Sequence, residues 1–508
     1  MRLLQLVKER TKKALNMTDV QLDAIINEDK SSLHDPFLYD GMETLIDLLY
    51  EFKLKQDQDP SLLLIIDTDY DTDGVMSAAV LSAALDVFNI NYRVYVPSMN
   101  DGYGLNVNAV NEMKELFENE DYTISMILTA DNGTNAIEGV AHANALGIDV
   151  LVTDHHLGGN QYADAKVIVN PNKIMPNGEA EPYPFKGNAG AAVAWKTAQA
   201  YAQKYKPEAI DLIDDLIVFA GMANVADVMP IIDENHYMVR KAVEELKRLT
   251  RIRLMYGDSP SAYDDIKSTP YTHYNSVFYG LYDLIKLLQE FKDEKRLSAG
   301  KKSIPLPDDE ELISWYLSPM INAPRRIHAS SREAMLALLA PHVSTRMDNI
   351  KAMISMNELK SKLRNDVLDS LDYSELYPKA GNVLFVNAQH GISGLVAGQV
   401  AEKTKSATIV FALPTQLPQR VYSYHEFDTR FDKDTLVIGA SARSNPLQPL
   451  NVIVERIMKK NPDIVVGGGG HAAAAGYSIR YKYLEEFALE FDKVAAEVKA
   501  EMLSLIHI

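Results

Sequence analysis

The feature that most constrains this chain is an apolar run that ends in alternating aspartates. Leu62–Ile66 are five consecutive apolar residues, and every second position after them is an aspartate: Asp67, Asp69, Asp71 and Asp73. A small-residue helical stretch follows over Val75–Phe88. An apolar run of this length, bounded by a polar turn, is typical of a strand buried on both faces of a parallel sheet. The end of this strand therefore places several carboxylates at one edge of the sheet.

Carboxylates this close together disfavour one another's ionisation, and a bound divalent cation removes the repulsion. One or two aspartates here would be typical of a solvated acidic turn or a helix cap, whereas four alternating ones favour a metal site. The sequence has no cysteine, so disulfides, thiolate nucleophiles and cysteine-bound metals are excluded. The remaining ligands are carboxylate and imidazole, which favour Mg²⁺ or Mn²⁺, and Mn²⁺ tolerates histidine better.

The composition is that of an ordinary globular protein. Of the 508 residues, 47% are hydrophobic and 24% are charged, and the length suits about two or three domains. The sequence shows no membrane span and no signal-peptide core. We therefore expect no membrane partner and, with no cysteine, a cytoplasmic location. The net charge of −19 argues against broad non-specific adhesion to nucleic acid but allows a local basic groove.

Strand patterns alternate with helical patterns after residue 61, which predicts an α/β fold with a doubly wound parallel sheet. Residues 1–60 are predicted to be helical, and 61–345 to form the main domain. Within that domain, 251–313 is predicted to be a mostly irregular insertion with a helix over Val277–Phe291. A long helix over 346–376 then connects to a smaller α/β domain at 377–508.

Further candidate ligands follow later elements of the main domain. Asp131 follows one predicted strand, Asp154, His155 and His156 follow another, and Asp227 follows a helical run. Ligands bind at the carboxyl ends of the strands in such sheets, so we expect these side chains to converge. Carboxylates with one or two histidines suit a two-metal hydrolytic site, with Asp131 as the candidate bridge. The alternatives are an ordinary surface residue for Asp227 and an exposed turn for the histidines.

Four segments then resemble, in order, the motifs of the DHH phosphoesterase superfamily: DTDYDTDG, TADNG, VTDHH and NVADVMP. Within it the chain is similar to the RecJ family of single-strand-specific 5′→3′ DNA exonucleases. That likeness extends to GYGL, FKGNAG, MINAPRR, GASARS and GGGGHAAAAG. Together these segments span most of the chain. They imply a catalytic DHH domain followed by a DHH-associated domain that contacts substrate.

The resemblance implies two bound divalent cations, Mn²⁺ preferred and Mg²⁺ possible. It implies metal ligation by Asp71, Asp73, Asp131, His155 and Asp227. Asp69 would ligate or orient, and Asp67 is a possible further ligand. Asp154 would orient His155, and His156 would face the scissile phosphate.

Substrate contacts are also implied. Arg326 and Arg443 suit bidentate phosphate binding, and Tyr103 could stack on a base. The glycine run could offer backbone N–H groups beside His471. The alternatives are surface salt bridges, a packed loop aromatic and a flexible turn. The full expected substrate set is Tyr103, Asn322, Arg326, Ser441, Arg443, Gly468, Gly469, Gly470 and His471.

Two features depart from the RecJ pattern. Met320 and Arg325 stand where the family usually has Arg and Gly, so the local phosphate clamp differs. The sequence ends soon after the glycine motif, so we expect no terminal OB-fold, and the 251–313 segment or a partner would then help to hold the strand.

The resulting hypothesis is a two-metal exonuclease that degrades single-stranded DNA from the 5′ end to mononucleotides in recombination, repair or replication. Single-stranded DNA is the expected partner, together with a single-strand-binding, replication or recombination protein. One alternative is a DHH phosphodiesterase acting on short oligonucleotides or cyclic dinucleotides. A second is an inactive RecJ-like replication scaffold.

Overall fold

The computed structural model describes residues 10, 12, 18, 19, 22, 30–96, 104–118, 121–159, 161–257, 259–327, 330–386, 390–413, 421–422, 434–470 and 472–506. The chain divides into two compact units. The first comprises Met1–Pro324 and Ser330–Ile354, and the second comprises Arg325–Ala329 and Ser355–Ile508. The four-part division made from the sequence stays a prediction. Among the described residues, no helix is both long and apolar enough to cross a membrane.

The first unit contains a five-stranded parallel sheet in the order β2-β1-β3-β4-β5. Its strands are β1 Leu62–Thr68, β2 Tyr92–Tyr95, β3 Thr123–Ala130, β4 Asp149–Thr153 and β5 Val167–Val169. In register, Ile66 lies opposite Leu128, and Leu128 lies opposite Leu151. This confirms the predicted α/β class and parallel sheet. It also places the point where the strand order reverses between β1 and β3, which is where such sheets bind ligands.

Strand β1 is buried on both faces because its alternate residues belong to two different cores. Leu64 and Ile66 pack into the large core of the unit. Leu63 and Ile65 pack into a smaller core on the other side. The helices that cover the sheet and complete the unit are α1 Met42–Gln58, α2 Thr72–Phe88, α3 Val107–Phe117, α4 Ile137–Ala145, α5 Gly190–Tyr205, α6 Ile217–Ala226, α7 Glu234–Tyr256, α8 Thr272–Ser298 and α9 Arg332–Leu339.

Short helical segments join these elements in the first unit and the second. They are Lys30–Ser32, Pro36–Leu38, Pro207–Ala209, Ile210–Asp215, Ala262–Ile266, Glu310–Leu312, Ile313–Leu317, Ser318–Ile321, Ala323–Arg326, Tyr373–Leu376 and Tyr481–Tyr483. The segment Ile313–Leu317 is π-helical.

The segment 251–313 is more ordered than the sequence suggests. Helix α8 has 27 residues and extends beyond the predicted Val277–Phe291 at both ends. Its buried residues include Tyr274, Phe278 and Leu281, and it packs against α2 and α9. The apolar residues at helical spacing therefore form part of the main core, whereas the charged residues between them obscure this pattern in the sequence.

Helix α10, Val343–Asp369, contains the boundary between the units and overlaps the predicted long helix over 346–376, but it begins and ends earlier. The second unit has a mixed sheet in the order β10-β11-β9-β7-β6-β8. Its strands are β6 Gly381–Val386, β7 Ala407–Ala412, β8 Val421–Tyr422, β9 Val437–Arg443, β10 Val465–Gly470 and β11 Ala474–Arg480, and its helices are α11 His390–Thr404, α12 Leu450–Lys460 and α13 Leu484–Ile506.

Two motifs of the second unit lie within this sheet. The glycine run forms most of β10, an edge strand paired antiparallel with β11, and not a flexible turn. Strand β9 includes most of GASARS. Burial alternates along β9, so Ala440 and Ala442 enter the core while Ser441 and Arg443 share the opposite face.

Candidate metal centre

The turn from β1 into α2 orients the carboxylates of Asp69 and Asp71 through backbone hydrogen bonds. Asp71 caps α2, since its Oδ1 accepts from the N–H groups of Asp73 (3.0 Å) and Gly74 (3.2 Å). Asp69 Oδ1 accepts from Tyr70 N at 2.7 Å. A Cβ on Gly74 would lie 2.0 Å from the Asp69 carbonyl oxygen, so this tight turn requires glycine. Helix capping and a tight turn thus orient the acidic loop locally.

Asp73 is held by the start of another helix. Its Oδ2 accepts from Gly190 N at 2.6 Å and its Oδ1 from Ala191 N at 2.8 Å, at the first turn of α5. The positive end of a helix stabilises a carboxylate. A Cβ on Gly190 would lie 2.5 Å from Asp131 Cβ, so glycine allows α5 to approach the ligands. The sequence marks FKGNAG as a motif but does not reveal this role.

Asp131 follows β3 with a left-handed backbone, φ 64°. Its N–H donates to the carbonyl of Thr153 at the end of β4 at 3.1 Å. Aspartate is one of the few non-glycine residues that adopt this conformation readily. The turn therefore places the carboxylate at the switch point of the sheet.

Asp154 accepts four hydrogen bonds at the end of β4. The donors are the N–H groups of His155 (2.7 Å), His156 (3.1 Å) and Thr134 (3.0 Å), and the Nδ1 of the His156 ring (2.9 Å). The structure differs here from the expectation, because Asp154 orients the ring of His156 and reaches His155 only through its main chain. Burial alone would raise the pKa of Asp154, but these hydrogen bonds and the two histidines lower it to about 2.

Two asparagines after β5 fix the main chain of the histidine pair. Asn170 Nδ2 donates to the His156 carbonyl at 2.9 Å, and Asn172 Nδ2 donates to the His155 carbonyl. Neither asparagine is among the site residues predicted from the sequence. Hydrogen bonds of this kind orient ligands that must stay at a set distance from one another.

The His155 ring joins the separate motifs in space. Its Nε2 lies 3.1 Å from Asp131 Oδ1, 3.6 Å from Asp73 Oδ2 and 3.8 Å from Asp227 Oδ2. Among the residues that the structure describes, three sets of side chains have ligand atoms within 4.8 Å of one another: Asp69, Asp71 and Asp131; Asp73, His155 and Asp227; and Asp131, His155 and His156. Asp131 belongs to two of these sets, as a bridging carboxylate would. Asp67 belongs to none of them.

The electrostatics of the cluster favour a bound cation. Burial, with the charges of neighbouring aspartates, raises the pKa of Asp131 well above its usual value. Burial also raises the pKa of Asp73. Burial and the charge of Asp73 raise the pKa of Asp227 to about 8. Among the described residues, no Lys or Arg forms an ion pair with these three aspartates, and Asp131 Oδ1 accepts no hydrogen bond. Buried carboxylate and imidazole donors of this kind fit Mn²⁺ or Mg²⁺.

Asp67, near the end of β1 and outside the three ligand sets, is also buried. Its pKa is raised to about 8 by burial and by the charge of Asp69. Asn322 lies beside the turn that carries Asp71 and Asp73, where its Oδ1 accepts a hydrogen bond from Thr72 Oγ1 at 3.1 Å. Asn322 is thus the expected substrate residue that the structure places next to the metal ligands within the first unit.

The other expected substrate residues lie in the second unit or outside the described residues. Arg326 Nη1 donates to the Gly391 carbonyl at 3.3 Å. Ser441 accepts a hydrogen bond from Ser393 at 3.1 Å, and Arg443 lies along α11. Burial lowers the pKa of Arg443, and no described residue offers it an acidic partner. Gly468, Gly469 and Gly470 lie on the edge strand β10, and Tyr103 and His471 fall outside the described residues.

The chain is similar to one protein-family model and to several exonucleases of known sequence. Residues 63–220 match the DHH family, N-terminal domain. The chain is 25% identical over 477 residues to the single-stranded-DNA-specific exonuclease RecJ of Bacillus subtilis. This alignment covers 93% of this chain and 50% of the relative. It is 25% identical to RecJ of Salmonella typhimurium, covering 90% of this chain and 69% of the relative. The chain therefore spans half the length of the first relative.

A solved structure supports the same fold. The structure of RecJ from Thermus thermophilus in complex with Mn²⁺ superposes with a TM-score of 0.61 and 20% sequence identity. The superposition covers 90% of this chain and 55% of that one. The chain is accordingly similar in sequence to RecJ exonucleases over most of its length and shares their fold, and its residues 63–220 match the DHH family, N-terminal domain.

Proposed function

We propose that the chain is a two-metal-dependent exonuclease that degrades single-stranded DNA from the 5′ end to mononucleotides. The observation that carries this proposal is the convergence of residues from four sequence motifs on neighbouring ligand sets, two of which share Asp131. The relatives that are similar over most of this chain are named single-stranded-DNA-specific exonucleases. An inactive scaffold would not need the complete ligand set that is present here.

Asp69, Asp71 and Asp131 would hold one cation, and Asp73, His155 and Asp227 the other. Bound ions of this kind polarise a phosphodiester and activate a water for in-line attack. Asp154 holds the proton of His156 at Nδ1. The other ring nitrogen of His156 can donate to a phosphate oxygen, since 41% of this side chain is exposed. The pKa of His156 is lowered by burial but raised overall to about 9 by Asp154, which keeps the ring cationic near neutral pH.

The phosphate contacts of the substrate strand are assigned to Arg443, Arg326, Ser441 and the glycine edge of β10. The Arg443 guanidinium has no acidic partner among the described residues, so it retains donors for a phosphate. The open edge of a strand likewise presents backbone N–H groups. The association with a replication, recombination or single-strand-binding protein and the cytoplasmic location remain predictions from the sequence.

The test is hydrolysis of single-stranded DNA labelled at either end, with Mn²⁺ and the full chain. We expect labelled mononucleotide to appear at once from the 5′ label and only late from the 3′ label. Release from the 3′ label first would refute the polarity. Faster turnover of dinucleotides than of long strands would instead assign a phosphodiesterase for short substrates.

The matched variants are Asp131→Asn and Asp164→Asn. Asn tolerates a left-handed backbone as Asp does, so the first variant should fold while losing one charged ligand. Asp164 is exposed and lies outside the ligand sets. We expect Asp131→Asn to abolish hydrolysis and Asp164→Asn to retain it. Full activity of Asp131→Asn would refute the two-metal assignment.

A further inference from the structure

The backbone turn at residues 187–191, which begins α5, is the part of the first unit that holds Asp73. Two of its N–H groups bind the Asp73 carboxylate at 2.6 and 2.8 Å. Because backbone N–H groups hold the Asp73 carboxylate, its position depends on the position of that backbone. The contacts that hold this turn therefore bear on the ligand geometry.

Asn188 ties the turn to a buried ionic network. Its Nδ2 donates to Glu234 Oε1 at 2.7 Å and to the Tyr39 hydroxyl at 2.9 Å. Glu234 is paired with Lys196 at 2.9 Å, and both side chains are fully buried. Tyr183 donates a further hydrogen bond to Glu234 Oε1 at 2.6 Å. The buried Asn188 Oδ1 has no hydrogen-bond partner among the described residues, so the Asn188 side chain is held through its Nδ2. Removing a member of this buried network would be costly, because it would leave a buried charge or polar group unpaired.

Asn224 ties the same turn to the helix that carries Asp227. Its Oδ1 accepts from Ala189 N at 3.0 Å, and Asp227 follows three residues later, at the end of α6. Asn235 adds a second tie, since its Nδ2 donates to the carbonyls of Gly187 (2.6 Å) and Pro230 (3.1 Å). The two segments that bring Asp73 and Asp227 together are thus linked by buried amides.

We propose that Asn188, Glu234 and Asn224 are positioning residues for the metal-ligand set of Asp73, His155 and Asp227. The two carboxylates repel each other before a cation binds, so the scaffold must enforce their spacing. The network does so by holding the turn, and none of its three side chains belongs to a ligand set. This inference rests on the proposed function, because it concerns the affinity of that metal centre.

The experiment is calorimetric titration of the full chain with Mn²⁺ alone, which needs no substrate and no turnover. The test variant is Asn188→Ala. The matched control is Gln289→Ala, another buried amide of the first unit, whose hydrogen bonds go to Leu306, Asp293 and Ile304. We expect Asn188→Ala to weaken Mn²⁺ binding at one site by about 10–100-fold, the range for residues that orient ligands. The control should bind Mn²⁺ as the wild-type protein does.

Tyr39→Phe is the second variant, and it decides the test if Asn188→Ala does not fold. It removes one acceptor of Asn188 while keeping the stacked ring, whose centroid lies 3.5 Å from that of Tyr183. We expect a smaller weakening at the same site. Unchanged Mn²⁺ affinity in the folded variants would overturn this inference and leave the proposed function standing. Absence of Mn²⁺ binding by the wild-type protein would overturn both.

Discussion

Replacing Gly190 by alanine tests whether close packing holds the metal centre together. Gly190 is the first residue of α5, and alanine in a helix is normally more stable than glycine by about 0.5–1 kcal/mol. Here the added Cβ would lie 2.5 Å from Asp131 Cβ and 2.8 Å from its Oδ1. Carbon atoms pack at about 3.5–4.0 Å, so Asp131 or the helix must move by about 1 Å.

A displacement of that size matters because the ligands converge within a few ångströms. Misplacing reacting groups by about 1 Å can cost about 100-fold in rate, and overpacking a core costs about 1–3 kcal/mol. We therefore expect Gly190→Ala to lower both the unfolding temperature and the hydrolysis of single-stranded DNA with Mn²⁺. The control for stability is Gly398→Ala in α11, where the nearest heavy atom to the added Cβ is Arg443 Cγ at 3.8 Å.

The control variant should unfold at the wild-type temperature or slightly above it, as expected for alanine in a helix. If Gly190→Ala behaves in the same way and hydrolyses single-stranded DNA at the wild-type rate, Asp131 can move without consequence. The steric account of the site would then be wrong.

Three further predictions concern other parts of the first unit. Asp283→Ala should lower the free energy of unfolding in urea by about 3–5 kcal/mol, because the buried Arg346 guanidinium loses its carboxylate partner at 2.8 Å. A loss of stability no larger than that caused by removing an exposed aspartate would contradict this. The hydrogen bond to Asp233 raises the pKa of His34, so its stabilisation is present below pH 6.5 and is lost as the pH rises through the raised pKa. The difference in unfolding temperature between wild type and His34→Gln should shrink over that range, and a constant difference would refute the assignment. Trp315 is 73% exposed and the other tryptophan is fully buried, so acrylamide should quench wild-type fluorescence but scarcely affect Trp315→Phe; equal quenching of both proteins would contradict the fold around this segment.

Local pattern was sufficient to predict the elements that bear the ligands. Strand β1 was recognisable because residues buried on both faces form a continuous apolar run, and the acidic residues follow it directly. Asp131 and His155 follow their strands in the same way. Their convergence could be predicted because parallel strands end at one edge of the sheet.

The sequence pattern was less informative where neighbouring segments decide the conformation. The glycine run of β10 has no side chains to show the alternation of a strand, and it becomes one by pairing with β11. Helix α8 carries many charges, and only its packing against α2 and α9 identifies its buried face. Asp154 was expected to orient His155, but the turn geometry makes the ring of His156 its side-chain partner.

The sequence by itself determined that three acidic motifs follow strands of one α/β sheet and that a fourth follows a helix, because strand periodicity and motif order are local properties of the chain. Only the tertiary structure decided how the ligands are held. Asp73 is bound by N–H groups of Gly190 and Ala191, more than a hundred residues later, and Asn188 donates to Glu234 at the start of another helix. Backbone donors carry no residue identity, and a buried ion pair leaves no periodic pattern, so these contacts arise only when the chain is packed.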